Sequence, residues 1–211
     1  MKRTTLFLCA LGFSMTALAA PVVNFRDKTV TVQKITPGSA VAIFSVANEP
    51  DGSAVPIPLR TQQALLLQDD DRDGAVSFNR ERVVPAVGLW IAVDVETGQW
   101  TVQGGPGFDP VPMQLADVAK KDNAGQLRKL AADLGEVEVM VVRPQTGAWE
   151  VYVAKSSKLD EGRGSDALRL DVGTMKPLGR SPQAPNALRN GDIVVVIDPY
   201  MMRYFVTEVG K

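Results

Sequence analysis

The chain has 211 residues, with 23 Lys and Arg against 24 Asp and Glu, a formal net charge of −1, one cysteine and no histidine. The balanced charge gives no electrostatic footprint for nucleic acid, which asks for a basic surface. Without histidine there is no Ser-His-Asp triad, no Cys-His dyad and no His-ligated zinc, because the usual general base and the commonest transition-metal ligand are both missing.

The N-terminus carries Lys2 and Arg3, then an apolar run from Leu6 to Leu18 that ends in the small-residue pattern Ala17-Leu18-Ala19. This order predicts a signal peptide over residues 1–19, cut after Ala19. Cutting after Ala20 instead would leave Pro21 at the scissile bond. The apolar run is shorter than the roughly 20 residues that span a bilayer, and no later segment qualifies. The mature chain is therefore expected to be exported, periplasmic or extracellular, and not membrane-spanning. Cys9 leaves with the leader. No disulfide then remains, so the fold must be held by core packing, with any help coming from metal.

From Thr29 onward the sequence alternates short apolar runs with turn signals. Thr29 to Val32 reads as a strand, Thr36-Pro37-Gly38-Ser39 as a turn, and Ala40 to Val46 as a buried strand. Pro56 and Pro58 confine Val55 to Leu59 to a sheet edge or a loop. Thr61 to Leu67 fits either a strand or a short helix. Leu89 to Asp94 and Gln99 to Val102 predict a hairpin closed by Val95-Glu96-Thr97-Gly98. Gly104 to Pro112 is rich in Gly and Pro and reads as a loop. Over residues 114–134, Val118, Leu127, Leu130, Ala131 and Leu134 fall at helical spacings, which predicts a helical connector. Val137 to Arg143 and Ala148 to Ala154 predict a second hairpin. Ala167 to Val172 reads as a strand and Gly173 to Asn190 as an irregular stretch. Asp192 to Asp198 reads as a buried strand paired with Arg203 to Val209.

The most chemically specific run is Gln68 to Phe78. Asp69, Asp71 and Asp73 alternate, and Gly74 follows at once. That is the first half of an EF-hand loop, D-x-D-x-D-G. Calcium takes about six to eight oxygens, and a tight loop with an acid at every second residue points several of them inward. Glycine lets the backbone turn sharply there. With Asp70, the loop holds four aspartates that repel one another, which favours a bound cation over a bare loop. The second half of the motif departs. Arg80 stands where the EF-hand has its bidentate Glu, and Glu81 comes one residue later. Val76 and Phe78 alternate with Ser77 and Asn79, as in a strand rather than an exiting helix. The expected calcium ligands are Asp69, Asp71, Asp73, the Ala75 carbonyl and Glu81, with Asn79, water or a distant loop as further sources. The plainer alternative is a solvated acidic turn, since Asp and Gly are favoured in turns anyway.

The two halves echo each other. Gly38 to Ile43 resembles Gly135 to Met140, and Ala75 to Phe78 resembles Ala167 to Leu170. Leu89 to Val102 resembles Ile193 to Val206, with Asp94 against Asp198 and Trp100 against Tyr204. This predicts a tandem duplication. The second copy of the acidic loop, Asp160 to Asp166, has lost the alternating acids, so one metal site is expected. On the acidic loop, the strand spacing and the tandem layout, the chain resembles bacterial exported immunoglobulin-like β-sandwich modules that carry a calcium loop. The resemblance implies a mainly β fold of two tandem sandwiches, residues 20–113 and 135–211, joined by the helical connector. It also implies adhesion, glycan binding or spacing at a cell surface, with a glycan or protein as partner.

The function expected from this is a non-catalytic binding, adhesion or structural envelope module. The alternative is a polysaccharide hydrolase using two carboxylates, which needs no histidine. Asp94, Glu96, Asp109, Asp198 and Glu208 are available for it, but no spacing pairs any two. Trp90, Trp100 and Trp149 can stack on sugar rings, although tryptophan on a strand more often packs against the sheet. Met201-Met202 is apolar where a turn usually carries Gly or Asn, so it either packs against the other half or forms a contact patch.

Overall fold

In the computed structural model the described residues are 19–50, 58–113, 138–155, 160–161, 168–169, 175–183 and 188–210. Among them every regular element is a strand. The helical connector expected over 114–134 and residues 1–18 of the leader lie outside the described residues.

Three sheets stack in layers. The first contains β1 (Val22–Arg26), β2 (Thr29–Gln33) and β5 (Ala75–Asn79), antiparallel in the order β1-β2-β5. Its strands alternate, with Val23, Val30, Val32 and Val76 buried and Asn24, Arg26 and Ser77 exposed. One face therefore meets the core and the other meets water. The second sheet contains β3 (Ala40–Pro50), β4 (Pro58–Gln68), β6 (Gly88–Asp94) and β7 (Trp100–Gly104), in the order β4-β3-β6-β7. Thr61 to Leu67 is thus strand rather than helix: its partners run in register from Ala47 to Val41. The proline that opens β4 sits on an edge strand, where a missing N–H costs no ladder bond.

The unbroken apolar runs of β3 and β6 follow from position. Val41, Ile43, Trp90 and Ala92 face the three-stranded sheet, while Ala42, Phe44, Leu89 and Ile91 face the opposite way. Both faces are covered, so all seven residues of β6 are buried. Trp90 meets Phe25 in a tilted contact, with ring centroids 4.9 Å apart, and a side chain at Gly88 would collide with the indole.

The third sheet is built around β9 (Glu138–Arg143), β10 (Glu150–Lys155), β14 (Ile193–Asp198) and β15 (Arg203–Glu208). Short strands β13 (Lys176–Pro177) and β8 (Val111–Pro112) extend it, giving the order β13-β10-β9-β14-β15-β8. The loop expected up to Pro112 therefore ends in a strand, which runs parallel to β15 and is fixed by Met113 N–H donating to the Tyr204 carbonyl at 2.7 Å. A separate two-residue pair joins β11 (Asp160–Glu161) to β12 (Leu168–Arg169). The four central strands β10-β9-β14-β15 pair in the same pattern as β4-β3-β6-β7. One hydrophobic cluster fills the space between these sheets. It takes Phe44, Ile91 and Val93 from one side and Met140, Val142, Ile193 and Val195 from the other. Met202, held at φ 50 in the β14–β15 turn, is buried in the same cluster, whereas Met201 is 65% exposed.

Candidate metal centre

The acidic loop leaves the end of β4 and enters β5. Asp69 is the first acid and is only 1% exposed. Its backbone N–H donates to the Ser39 carbonyl, which ties the loop to the turn before β3. Its carboxylate is taken up by amides. Oδ2 accepts from Gly38 at 3.0 Å and Gly74 at 2.9 Å, and Oδ1 accepts from Asp73 at 3.2 Å. Two left-handed residues, Arg72 at φ 60 and Gly74 at φ 79, bend the chain back so that these amides converge. Gly74 is needed there on two counts. Its φ penalises any side chain, and an added Cβ would lie 3.3 Å from the Ile35 carbonyl. Asp73 Oδ1 in turn accepts from the Ala75 amide at 2.8 Å, closing a small Asx turn at the start of β5.

The result is a cluster in which one ligand oxygen each from Asp69, Asp71 and Asp73 lies within 4.8 Å of the others. Asp71 and Asp73 are exposed. Burial pushes the Asp69 carboxyl up, but the amides of Gly38, Gly74 and Asp73 and the side chain of Asp71 outweigh it and hold it below its ordinary value. Asp71 is raised, first by its hydrogen bond to Asp69 and then by the charge of Asp73. Of the two, Asp69 therefore holds its charge more firmly than Asp71. A carboxylate offers about four lone pairs, and the amides use three of those on Asp69. What remains for a metal is one lone pair on Asp69 and the open carboxylates of Asp71 and Asp73. Such a set can hold a divalent cation.

The other expected ligands fall differently. Ala75 borders the cluster, with its amide bound to Asp73. Glu81 lies past the opposite end of β5, on the rim of a cleft lined by Glu49, Arg80 and Arg82. A strand rises about 3.3 Å per residue, so β5 carries the chain well away from the acids before Glu81. Asn79 accepts from the Thr29 hydroxyl at that far end. Glu81 is not in the cluster.

A second polar constellation has no single-segment signature. Arg143, at the end of β9, is 6% exposed. Its Nε and Nη2 donate to the two oxygens of Asp192 at 2.8 and 2.9 Å, and Nη1 donates to Glu150 at 3.0 Å. Tyr152 O–H donates to the same Glu150 oxygen, and burial first, then Glu150, pushes its pKa up to about 12. Sequence reasoning missed this group because Arg143 and Asp192 are 49 residues apart. The only local hint is a charge placed at the end of an apolar run, at Arg143 and again at Asp192.

Asp94 and Asp198 occupy matching places. Asp94 Oδ1 accepts from the amides of Glu96 and Thr97, while Asp198 Oδ1 accepts from those of Tyr200 and Met201. Each acid thus closes the turn after a central strand. Of the tryptophans, Trp90 is core, Trp149 is half-buried beneath Arg180 at 5.3 Å, and Trp100 is 39% exposed. No helix among the described residues is long and apolar enough to cross a membrane. Set against known protein families, curated proteins and solved structures, the chain matches none of them.

Proposed function

We propose that this chain is an exported, non-catalytic binding or structural module of a bacterial envelope, steadied by one calcium ion in the loop from Asp69 to Ala75. The observation that carries the reading is the convergence of three carboxylates within 4.8 Å around a loop already bent by Asp69. The ion neutralises the acids, and its binding energy adds to folding. Water and the Ala75 carbonyl complete its shell. With two of three acids open to solvent, the affinity belongs with extracellular calcium modules, on the order of 10⁻⁴–10⁻³ M. The leader places the module in the periplasm or outside the cell, with a surface glycan or protein as partner.

The two halves are read as copies of one immunoglobulin-like unit. The shared strand pairing and the matching turn acids Asp94 and Asp198 support this. The hydrolase reading needs two converging acids. The oxygens of Asp94 and Asp198 are taken by turn amides, and Asp198 also pairs with Arg203. No observation favours it.

The test is a thermal melt of the chain from Ala20 in calcium, in magnesium and in chelator, with Asp71→Asn and Asp73→Asn beside it. A rise in Tm specific to calcium and absent from both variants is expected. Equal melting in calcium and chelator would leave the loop as a plain acidic turn.

A further inference from the structure

We propose that the cleft between the β6–β7 turn and the start of β14 binds an uncharged, hydroxyl-rich ligand, that is, a saccharide. The inference rests on the reading of the chain as a binding module and gives that module a site and a ligand class. The cleft holds about 490 Å³, within the range of small-molecule sites, and lies where separate sheets meet, a common place for one.

Its floor is the Arg143–Asp192 pair. Asp192 Oδ2 also accepts from the Arg189 amide at 2.7 Å, so each Asp192 oxygen is engaged from inside the protein. An ionic ligand would have to break a buried pair to use this floor, which is costly. Above the floor the lining combines neutral polar groups with one cation, Arg189, and one anion, Glu208, so that it carries no net charge. Thr97 and Gln99 stand on one wall, Gln145 on another and Asn190 on a third. Each carboxamide offers both donors and an acceptor, which suits a sugar hydroxyl that does both. Gln99 and Gln145 are exposed, and among the described residues none hydrogen-bonds their carboxamides.

The walls are fixed before any ligand arrives. Gln145 N–H donates to the Val95 carbonyl at 3.1 Å and joins the two turns. Gly98 lets them touch, because a Cβ there would lie 2.7 Å from Pro144 Cγ. A preformed cleft spares a ligand the cost of ordering it.

The experiment is an amide-resolved NMR titration of the mature chain with maltose, cellobiose and N-acetylglucosamine. Glucuronate and inorganic phosphate serve as charged probes, and every titration is run in calcium and in chelator. Saturable shifts at Gly98, Gln99, Gln145 and Gly191 with at least one neutral sugar are expected. The Gln99→Ala/Gln145→Ala variant, altered only at exposed positions, should bind about tenfold more weakly with an otherwise unchanged spectrum. No saturable shift with any neutral sugar overturns the proposal. So does undiminished binding by the variant, or stronger binding of phosphate or glucuronate, which would make Arg189 the anchor of an anion site. Sugar binding that survives in chelator upholds the cleft even if the calcium melt fails. A calcium response without sugar binding leaves the metal reading standing alone.

Discussion

The acidic loop and the Arg143 cluster are two ways of placing carboxylates inside a β-sheet protein. The loop gathers acids that are neighbours in sequence, and the protein answers them only with backbone amides. Those amides satisfy Asp69 and leave Asp71 and Asp73 with unbalanced charge. The Arg143 cluster gathers acids from β10 and the start of β14, and answers both with a guanidinium in the same buried space. The first arrangement leaves carboxylate oxygens that could hold a cation. The second is complete within the protein. Local chemistry alone leaves acids open to solvent, whereas long-range pairing closes them off.

The sharpest way to break this comparison is to remove the cation from the closed cluster. Arg143→Met strands Asp192 and Glu150, and the loss should be about 3–5 kcal/mol in urea unfolding. Adding Asp192→Leu to Arg143→Met should recover part of it, since an apolar pair replaces a buried ionic one. A double variant weaker than the single would show that Asp192 is held mainly by the Arg189 amide.

Asp69→Ala comes next. It removes the acceptor of three amides, Gly38, Asp73 and Gly74. A cost of roughly 2–4 kcal/mol follows from leaving such donors unmet. The loss should be nearly as large in chelator as in calcium, because the amides need the carboxylate with or without metal. Chemical denaturation in both conditions checks this. A loss seen only in calcium would make Asp69 a ligand before it is a turn former.

The smallest effect separates Asp69 from Asp71 by pH, in chelator. Asp69 is held below its ordinary value of 3.8. Its contribution is present above 3.8 and is lost as the pH falls through the lower folded value. Asp71 is raised above 3.8, so its contribution is present below 3.8 and fades as the pH rises through its folded value. Asp71→Asn should therefore leave the Tm in chelator unchanged or slightly higher at a pH above the folded Asp71 value, where Asp71 is charged and repelled. In calcium the same change should lower the Tm. Melting curves across pH with both variants read the two signs directly, and a fall in chelator equal to that in calcium would contradict the charge-crowding account.

Much of the strand layout was legible in the sequence. Alternation marked β2 and β5, and unbroken apolar runs with turn signals marked β3, β6, β9 and β14. Thr61 to Leu67 was not decided locally, because a short apolar run such as Leu65 to Leu67 shows no periodicity that separates strand from buried helix; pairing with β3 settled it. Met201 and Met202 were equally open. The left-handed backbone at Met202 goes with one side chain in the core and the other in water, so Met202 packs in the cluster between the sheets while Met201 is exposed.

What the sequence by itself determined is whatever depends on neighbours along the chain. The D-x-D-x-D-G spacing, the glycine that bends it and the exclusion of histidine chemistry all belong there. The tertiary structure alone decided what depends on neighbours in space. Glu81 has the right chemistry for calcium, but β5 carries it away from the loop. Arg143 and Asp192 look unrelated in sequence, yet adjacent antiparallel strands bring their ends together. The packing of the two larger sheets against each other was equally out of reach of local pattern. An apolar strand declares that both its faces are covered, but not by what, because burial is favourable against any well-packed partner.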